Sequence, residues 1–487
     1  MSPTSATVSA SAPTPATDPA RTPAGGPGAA PAHPSPEGAG RPARPAALAP
    51  VLRFELVKLL TLWRVRVVLL ACWVTPAAFI VAVGQQSALP SDTVFGRWMF
   101  ATGWAGSLVV LGFASTWALP LLTALVAGDV FAAEDRLGTW RHLLMAVRSP
   151  RRIFAAKALA STAVILAMEV GLAVSSIGGG LAVMGDRELV GLTGQIIDPG
   201  QSARLVLLAW ACAIVASLAF AAVGLLGSVA LGRSPMGLLL PAILAFVLQA
   251  AQLLPLPAAV RLALPSQGFL SWRGLFTEPP QTGPLLVGVL VSVAWVLVAT
   301  ALALRVFVRR DFTDVAYDGP GRRSLAVGAL PVAALAAVSI AVVAVVTPAD
   351  GSGIDRAKVE SSLAASFAHL YRLQSRELHR PDVTEEQLRV TAACYRGGSP
   401  GDDEGAGNDW RCAVSWHIPG ATAVGTALYQ LDVAAEGRYV ADGDGPKEVN
   451  GYFQVRTPSG DAANPLWQID SLVDLSSSST SSSTSKG

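Results

Sequence analysis

The sequence predicts an α-helical polytopic membrane protein that carries a C-terminal α+β domain. Hydrophobic residues make up 52% of the 487 residues and charged residues only 14%, whereas soluble domains carry about 25% charged residues. Charge is also divided along the chain: residues 1–349 contain 24 Lys+Arg and 15 Asp+Glu, and residues 350–487 contain 12 and 19. A basic first part and an acidic last part indicate that the two parts face different compartments.

Seven apolar stretches are candidates for membrane-spanning helices, which need about 20 apolar residues each. They are longer than the strands of a membrane barrel and do not alternate. The first and fifth are at the short end of the usable range. The stretches are Val67–Val83, Trp104–Val126, Ala158–Val183, Leu205–Leu231, Gly237–Leu254, Leu285–Val308 and Ser324–Val346.

The remaining segments complete the expected domain organisation. Residues 1–48 form a Pro/Ala-rich tail and residues 476–487 a Ser/Thr tail, and both compositions predict disorder. Residues 49–66 predict an amphipathic helix at the membrane surface, residues 67–347 the bundle, and residues 348–475 the C-terminal domain.

Basic residues set the expected orientation. With a cytoplasmic N-terminus, the inner segments hold 15 Lys+Arg, against 7 in the outer loops and just beyond the last stretch. This bias favours the cytoplasmic N-terminus, and seven crossings then place the C-terminal domain outside. The basic residues border apolar runs instead of covering one polar face, so the expected partner is the lipid bilayer and not a nucleic acid.

The hydrophobic pattern of the C-terminal domain predicts helices at Val359–Leu378 and Glu385–Ala393, followed by strands. The expected strands are Arg411–Ile418, Ala427–Ala434, Arg438–Ala441, Gly451–Arg456 and Leu466–Val473. Cys394 and Cys412 flank a Gly/Asp-rich loop in this domain. In an oxidising compartment they predict a disulfide, and two free thiols are the alternative.

Enzyme motifs are missing from the sequence. It contains no GxxxxGK[ST] phosphate loop, no HExxH zinc motif and no GxSxG nucleophile elbow, so we expect no catalytic residues, no metal site and no cofactor of its own. Glu169 is the one ionisable residue deep in an apolar stretch. It is either a functional site on a substrate path or gate, or a residue that fixes helix packing.

The segment 128–152 is the richest in polar motifs. Leu137, Trp140, Leu144 and Val147 recur at helical spacing, and Pro150 ends the pattern, which predicts a short amphipathic helix. Such a helix either lies on anionic lipid or binds a cytoplasmic partner. The charges of its surroundings, Asp129, Asp135, Arg309 and Arg310, are expected to be ordinary solvated loop charges.

Glu134, the pair Gly138-Thr139, the basic helix and the run Ser149-Pro150-Arg151-Arg152 leading to Lys157 resemble the hallmark of type 2 ABC exporter permeases. Residues 51–66 resemble that family's surface helix, and the proline-rich residues 255–284 its re-entrant outer segment. The resemblance covers about 49–310. A seventh span and an outer domain depart from the usual six-span permease.

The resemblance implies a six-span exporter bundle, here with a seventh span, in a bacterial plasma membrane. It implies pairing with a second permease, as homodimer or heterodimer, and a separate cytoplasmic ATPase subunit that binds the ATP. Glu134, Gly138, Thr139, Arg141 and Pro150 would shape the helix that couples to this ATPase. Two alternatives remain: a membrane-anchored receptor or envelope-assembly protein, and a proton-coupled transporter, which would need more intramembrane ionisable residues than Glu169.

Overall fold

A computed structural model describes residues 47–85, 102–231, 235–310, 321–346, 352–397, 408–418, 420, 422–458 and 460–476. All but the last two residues of the expected N-terminal tail lie outside the described residues. So do all but the first residue of the expected Ser/Thr tail and most of the Gly/Asp-rich loop between Cys394 and Cys412.

Helices dominate the first part of the chain. Six helical segments are long and apolar enough to cross a membrane, which indicates a multi-pass membrane protein. The helices are α1 (Leu48–Thr61), α2 (Trp63–Gly84), α3 (Gly103–Phe113), α4 (Leu119–Leu137), α5 (Trp140–Val147), α6 (Pro150–Met184), α7 (Pro199–Leu231), α8 (Pro235–Ala250), α9 (Ala258–Leu262), α10 (Thr282–Val308) and α11 (Gly321–Val346).

Six of the seven predicted stretches supply these long helices. A π-helical turn, Ala114–Ala118, joins α3 to α4, so that the second stretch forms one continuous segment, Gly103–Asp135. The fifth stretch differs, because α8 has only 16 residues and ends in the short 3-10 turn Ala251–Leu253. It is shorter than the six membrane-length helices.

The surface helix is shorter than predicted. The pattern over 49–66 predicted one amphipathic helix, but α1 ends at Thr61, and the extended backbone of Leu62 separates it from α2. The first membrane-length helix therefore begins at Trp63. Helix α1 packs along α6 and buries Val51, Glu55 and Leu59 there.

A small hairpin and a short-helix segment close one end of the bundle. The hairpin pairs β1 (Leu189–Val190) with β2 (Ile196–Ile197). The segment from α9 continues through the 3-10 turns Pro265–Phe269 and Ser271–Phe276, whose residues are all buried. Helix α5 lies at the other end of the bundle, because α6 begins beside α5 and ends before the hairpin. With 35 residues and a rise of 1.5 Å per residue, α6 is about 50 Å long.

The C-terminal domain packs one long helix on an antiparallel sheet. Helix α12 (Arg356–Glu377) covers the sheet with Leu363 and Phe367, which meet inward-facing residues such as Tyr429. The five strands lie in the order β3, β4, β5, β6, β9. Their bounds are β3 (Thr391–Arg396), β4 (Asp409–His417), β5 (Val424–Val433), β6 (Arg438–Gly443) and β9 (Gln468–Leu472), with a separate hairpin of β7 (Gln454–Thr457) and β8 (Gly460–Ala463) and the short helices α13 (Glu385–Leu388) and α14 (Lys447–Asn450).

The second predicted helix of this domain is wrong in its length. Helix α13 ends at Leu388 and does not continue to Ala393, because Arg389 adopts a left-handed conformation with φ 44°. Residues 391–396 instead form edge strand β3. Pairing with β4 places Cys394 directly opposite Cys412, and the two residues form a disulfide. Sheet pairing with a strand distant in sequence thus overrides the local helical pattern.

We expect the disulfide to stabilise the C-terminal domain by about 3 kcal/mol, since it closes a loop of 18 residues in the unfolded chain. The double variant Cys394→Ser/Cys412→Ser should lower the unfolding midpoint of this domain. Reductant should lower the wild-type midpoint to that of the variant and leave the variant unchanged, since Cys72 and Cys212 are free thiols. A wild-type midpoint that is indifferent to reductant would contradict the prediction.

Candidate functional site

Helix α5 joins two membrane-length segments through tight turns. Gly138, at the end of α4, has φ 64°, and Arg148, at the end of α5, has φ 56°. Space around Gly138 is open, so its left-handed backbone and not crowding accounts for a glycine there. Pro150 occupies the first turn of α6, where its missing N–H costs no hydrogen bond.

A buried group of charged side chains fastens this region. Lys157 Nζ lies 2.8 Å from Glu134 Oε1 and 2.9 Å from Glu55 Oε2. Lys58 also pairs with Glu134, and the Thr139 hydroxyl donates to the other Glu134 oxygen. The side chains of Lys157, Glu134 and Glu55 are at most 2% exposed. Two cations thus neutralise two anions: buried Lys157 and partly exposed Lys58 balance Glu55 and Glu134, which makes burial of the two carboxylates tolerable.

Trp140 connects α5 to the rest of the bundle. Its indole Nε1 donates to Asp135 Oδ1 at 2.7 Å, and its ring packs against Phe131 and Phe307 with centroids 6.0 and 5.3 Å apart. Lys157 Nζ lies 5.7 Å from the indole centroid, so the aromatic group and the charged group form one continuous support beneath α5.

The expectation of ordinary solvated loop charges near α5 is wrong for Asp129, Asp135 and Arg310, which form ion pairs between helices. Helix α4 continues to Leu137, so Asp129 and Asp135 belong to a helix and face its neighbours. The Asp135 side chain is 3% exposed. Its two carboxylate oxygens accept hydrogen bonds from the two terminal nitrogens of Arg310, at 3.0 and 2.7 Å. Asp129 pairs with Arg64 at the start of α2. These pairs tie the ends of α2, α4 and α10 together.

The outward face of α5 is basic and partly apolar. Arg141, His142, Met145 and Arg148 follow at helical spacing and are all exposed. Leu137 is 68% exposed, so it does not lie with the other residues of the apolar pattern that predicted the helix. It precedes the Gly138 turn and therefore does not share the helix of Trp140 and Val147, which are buried. We call Leu137, Arg141, His142, Met145 and Arg148 the α5 face.

Glu169 lies elsewhere in the bundle. It is completely buried on α6, about 18 Å along that helix from Lys157. Ser217 on α7 and Cys72 on α2 lie near its carboxyl group, yet neither carboxyl oxygen makes a hydrogen bond of good geometry to a described residue. Such a group is costly to bury as an anion. The geometry leaves both the functional and the packing hypotheses for Glu169 open.

The five predicted loop residues divide into two sets. Glu134, Gly138, Thr139 and Pro150 build and fasten α5, and Arg141 belongs to its exposed face. Glu169 and the Cys394–Cys412 disulfide lie apart from them. Sequence reasoning missed Glu55 and Lys58 as partners of this region. The available signal for Glu55 was its charge, because it is the one acidic residue in the otherwise apolar and basic segment 51–66.

The C-terminal domain contacts the far end of the bundle through several polar pairs. Arg273 pairs with Glu436 at 2.5 Å, and the Gln281 amide donates to the carbonyl of Leu472 at 2.9 Å. Arg261 donates to the Ser352 carbonyl at 2.8 Å. Burial lowers the pKa of the Arg261 guanidinium, and the charge of Glu436 opposes this shift. Nearby, a cavity of about 590 Å³ lies between hairpin β1–β2 and α12.

Among the described residues, no group of three or more His, Cys, Asp or Glu side chains is placed to hold a metal ion. No protein-family model matches the chain, and no curated protein matches it.

Proposed function

We propose that this chain is the membrane-spanning permease subunit of a type 2 ABC exporter, driven by ATP hydrolysis in a separate subunit. The observation that carries the proposal is the α5 region. A short helix is fastened by buried ion pairs, while its basic and apolar face stays exposed. The motif residues Glu134, Gly138 and Thr139 are the residues that make this arrangement.

This arrangement suits the transmission of force. Helix α5 connects α4 to α6 through two-residue turns, and both of these helices belong to membrane-length segments. If the α5 face binds a moving ATPase, a displacement of α5 shifts α4 and α6 together. A loosely held loop would absorb the same displacement. Rigid support by Lys157 and Trp140 therefore favours a coupling role over simple contact with lipid.

The proposal includes a topology. The N-terminus and the α5 face are cytoplasmic, α8 together with the 3-10 turn after it supplies the fifth of seven crossings, and the C-terminal domain lies outside the bacterial plasma membrane. The supports are the basic residues around α5, the acidic balance of residues 350–487 and the position of the C-terminal domain at the opposite end of α6. A second permease chain, identical or related, completes the transporter.

We expect charge reversal on the α5 face to weaken binding of the ATPase subunit without unfolding the bundle. Arg141→Glu combined with Met145→Glu places two anions on a basic face, and like-charge contacts of this kind cost several kcal/mol, so association should fall at least about tenfold. The measurement is copurification of the tagged chain with its ATPase, identified by mass spectrometry, together with the rate of ATP hydrolysis by the complex.

Arg53→Glu on α1 is the matched control, because Arg53 is exposed at the same end of the molecule but outside the α5 face. It should leave association unchanged. Full association of the α5-face variant would contradict the docking role. A chain that copurifies with no ATPase at all would instead favour the receptor or envelope-assembly alternative.

A further inference from the structure

A second cavity, of about 410 Å³, lies where the bundle meets the C-terminal domain. Its walls come from the π-helical turn between α3 and α4, the 3-10 turn after α8, the segment before α10 and the start of β6. This volume falls in the range of small-molecule sites, about 300–1,000 Å³, and π-helical turns occur often at functional sites. The α5 face does not contribute to the lining, so the cavity is separate from the proposed ATPase contact.

Two glutamines that line the cavity have unused hydrogen-bond acceptors. Gln249 and Gln252 are 3% and 1% exposed. Their amide nitrogens donate to the carbonyl oxygens of Ser115 and Arg261, at 3.5 and 3.1 Å. Because a carbonyl oxygen only accepts, these contacts fix the orientation of both amides. Both Oε1 atoms are then buried, and neither accepts a hydrogen bond from a described residue. A buried acceptor without a donor is costly, so the two amides point to a ligand that carries donors.

The wall beside the C-terminal domain is cationic. Arg273 and Arg438 line the cavity together with Glu436. Arg273 pairs with Glu436, whereas Arg438 lies 3.9 Å from Asp470, which is beyond hydrogen-bonding distance. Arg261 is 1% exposed and lies close enough to feel the charge of Glu436. Within this group three guanidiniums thus face two carboxylates, and an anionic group in the cavity would balance the excess positive charge.

The remaining walls are apolar, and they open to the outside of the bundle. Phe113 and Leu253 line the cavity and are 58% and 60% exposed. Trp117 also lines it and stacks on Phe246 of α8, with ring centroids 5.2 Å apart. Phe113 belongs to a membrane-length segment, and about 24 Å of helix separate it from the ion-paired Asp129 near α5. The cavity therefore lies close to the opposite edge of a hydrocarbon core of about 30 Å.

We propose that this cavity binds the head group of an anionic lipid that carries hydroxyl groups, the chemistry of phosphatidylglycerol. The phosphate lies at Arg438 beside Arg273, where charge-assisted hydrogen bonds hold it. The hydroxyl groups donate to Gln249 and Gln252, and the acyl chains pass Phe113 into the bilayer. A free polyol phosphate has the same polar groups but leaves the apolar opening unused, which favours the lipid. The inference goes beyond the proposed export function and does not depend on it, because lipid binding requires no ATPase.

The test is native mass spectrometry of the full chain, purified in detergent and mixed with one lipid at a time. Phosphatidylethanol has the charge of phosphatidylglycerol without its hydroxyl groups, and phosphatidylcholine has no net charge. We expect affinity to fall about threefold or more at each step from phosphatidylglycerol to phosphatidylethanol to phosphatidylcholine. Free sn-glycerol 1-phosphate in large molar excess should not displace phosphatidylglycerol. Equal binding of phosphatidylglycerol and phosphatidylcholine, or displacement by the free phosphate, would overturn the proposal.

Variants locate the binding in this cavity. Arg438→Gln should lower the affinity for phosphatidylglycerol about tenfold, since it removes a hydrogen bond to a charged group. Gln249→Leu should lower the affinity for phosphatidylglycerol to that for phosphatidylethanol, and it serves if Arg438→Gln does not fold. Arg411→Gln is the matched control: Arg411 lies 3.6 Å from Asp444 on the same sheet but does not line the cavity, so binding should stay at the wild-type level. Wild-type phosphatidylglycerol binding in both Arg438→Gln and Gln249→Leu would contradict the assignment.

Discussion

Lys157→Met is expected to destabilise the bundle by about 3–5 kcal/mol. Lys157 is 1% exposed and is shared by Glu55 and Glu134, which are equally buried. Methionine fills a similar volume but leaves excess negative charge in a dry environment, and removing one partner of a buried pair has this cost. The measurement is the unfolding midpoint of the purified chain. Samples are heated to a series of temperatures, and the protein that remains folded is quantified by gel filtration with fluorescence detection.

Two further variants show whether charge is the cause. Arg151→Met removes a cation from the first turns of the same helix at an exposed position and should change the midpoint little. Lys157→Met combined with Glu55→Gln and Glu134→Gln removes the uncompensated charge and should recover most of the loss. If the triple variant is no more stable than Lys157→Met alone, the loss comes from packing and not from electrostatics.

Trp140→Ala should cost about 3–5 kcal/mol as well, since it deletes a large side chain from a packed aromatic group. The indole is 6% exposed and touches Phe131, Phe307 and Asp135. Because it is one of two buried side chains of α5, its loss should also release α5 and weaken ATPase association, although Trp140 is not on the α5 face. Thermal unfolding and copurification, measured on the same preparation, report the two effects.

Trp140→Phe is the matched control for this prediction. It keeps an aromatic ring in the group but loses the hydrogen bond to Asp135, which still has Arg310, so the cost should be about 1 kcal/mol. ATPase association should then remain near the wild-type level. Equal loss of association in Trp140→Phe and Trp140→Ala would mean that the hydrogen bond, and not the aromatic packing, positions α5.

Much of the fold was predictable because it depends on local composition. Membrane-length helices need only a continuous apolar run, and six of the seven predicted runs supply one. The predictions were wrong where contacts with residues far along the chain determine the local structure. Residues 391–393 have a helical pattern but join the sheet, because β4 pairs with them and Cys412 faces Cys394. Helix α4 extends through Asp129 and Asp135 because Arg64 and Arg310 neutralise them there.

The candidate site shows the same division. The motif around Glu134, Gly138, Thr139 and Pro150 could be found by reading along the chain, since turns and helix starts need particular residues at fixed spacing. The partners of that motif could not be found in this way. Glu55 and Lys58 lie on α1, more than 70 positions from Glu134, and no periodicity in either segment specifies that α1 packs on α6.

By itself, the sequence determined that this chain forms a bundle of apolar helices, with a basic region around a short helix and an acidic α+β domain after the last apolar run. Only the tertiary structure decided which charges are buried together, which side chains of α5 are exposed, and that Arg273 and Glu436 join the two parts of the molecule. The physical reason is that hydrophobicity and helix geometry act over a few residues. The energy of a buried charge depends on the partner that packing brings to it.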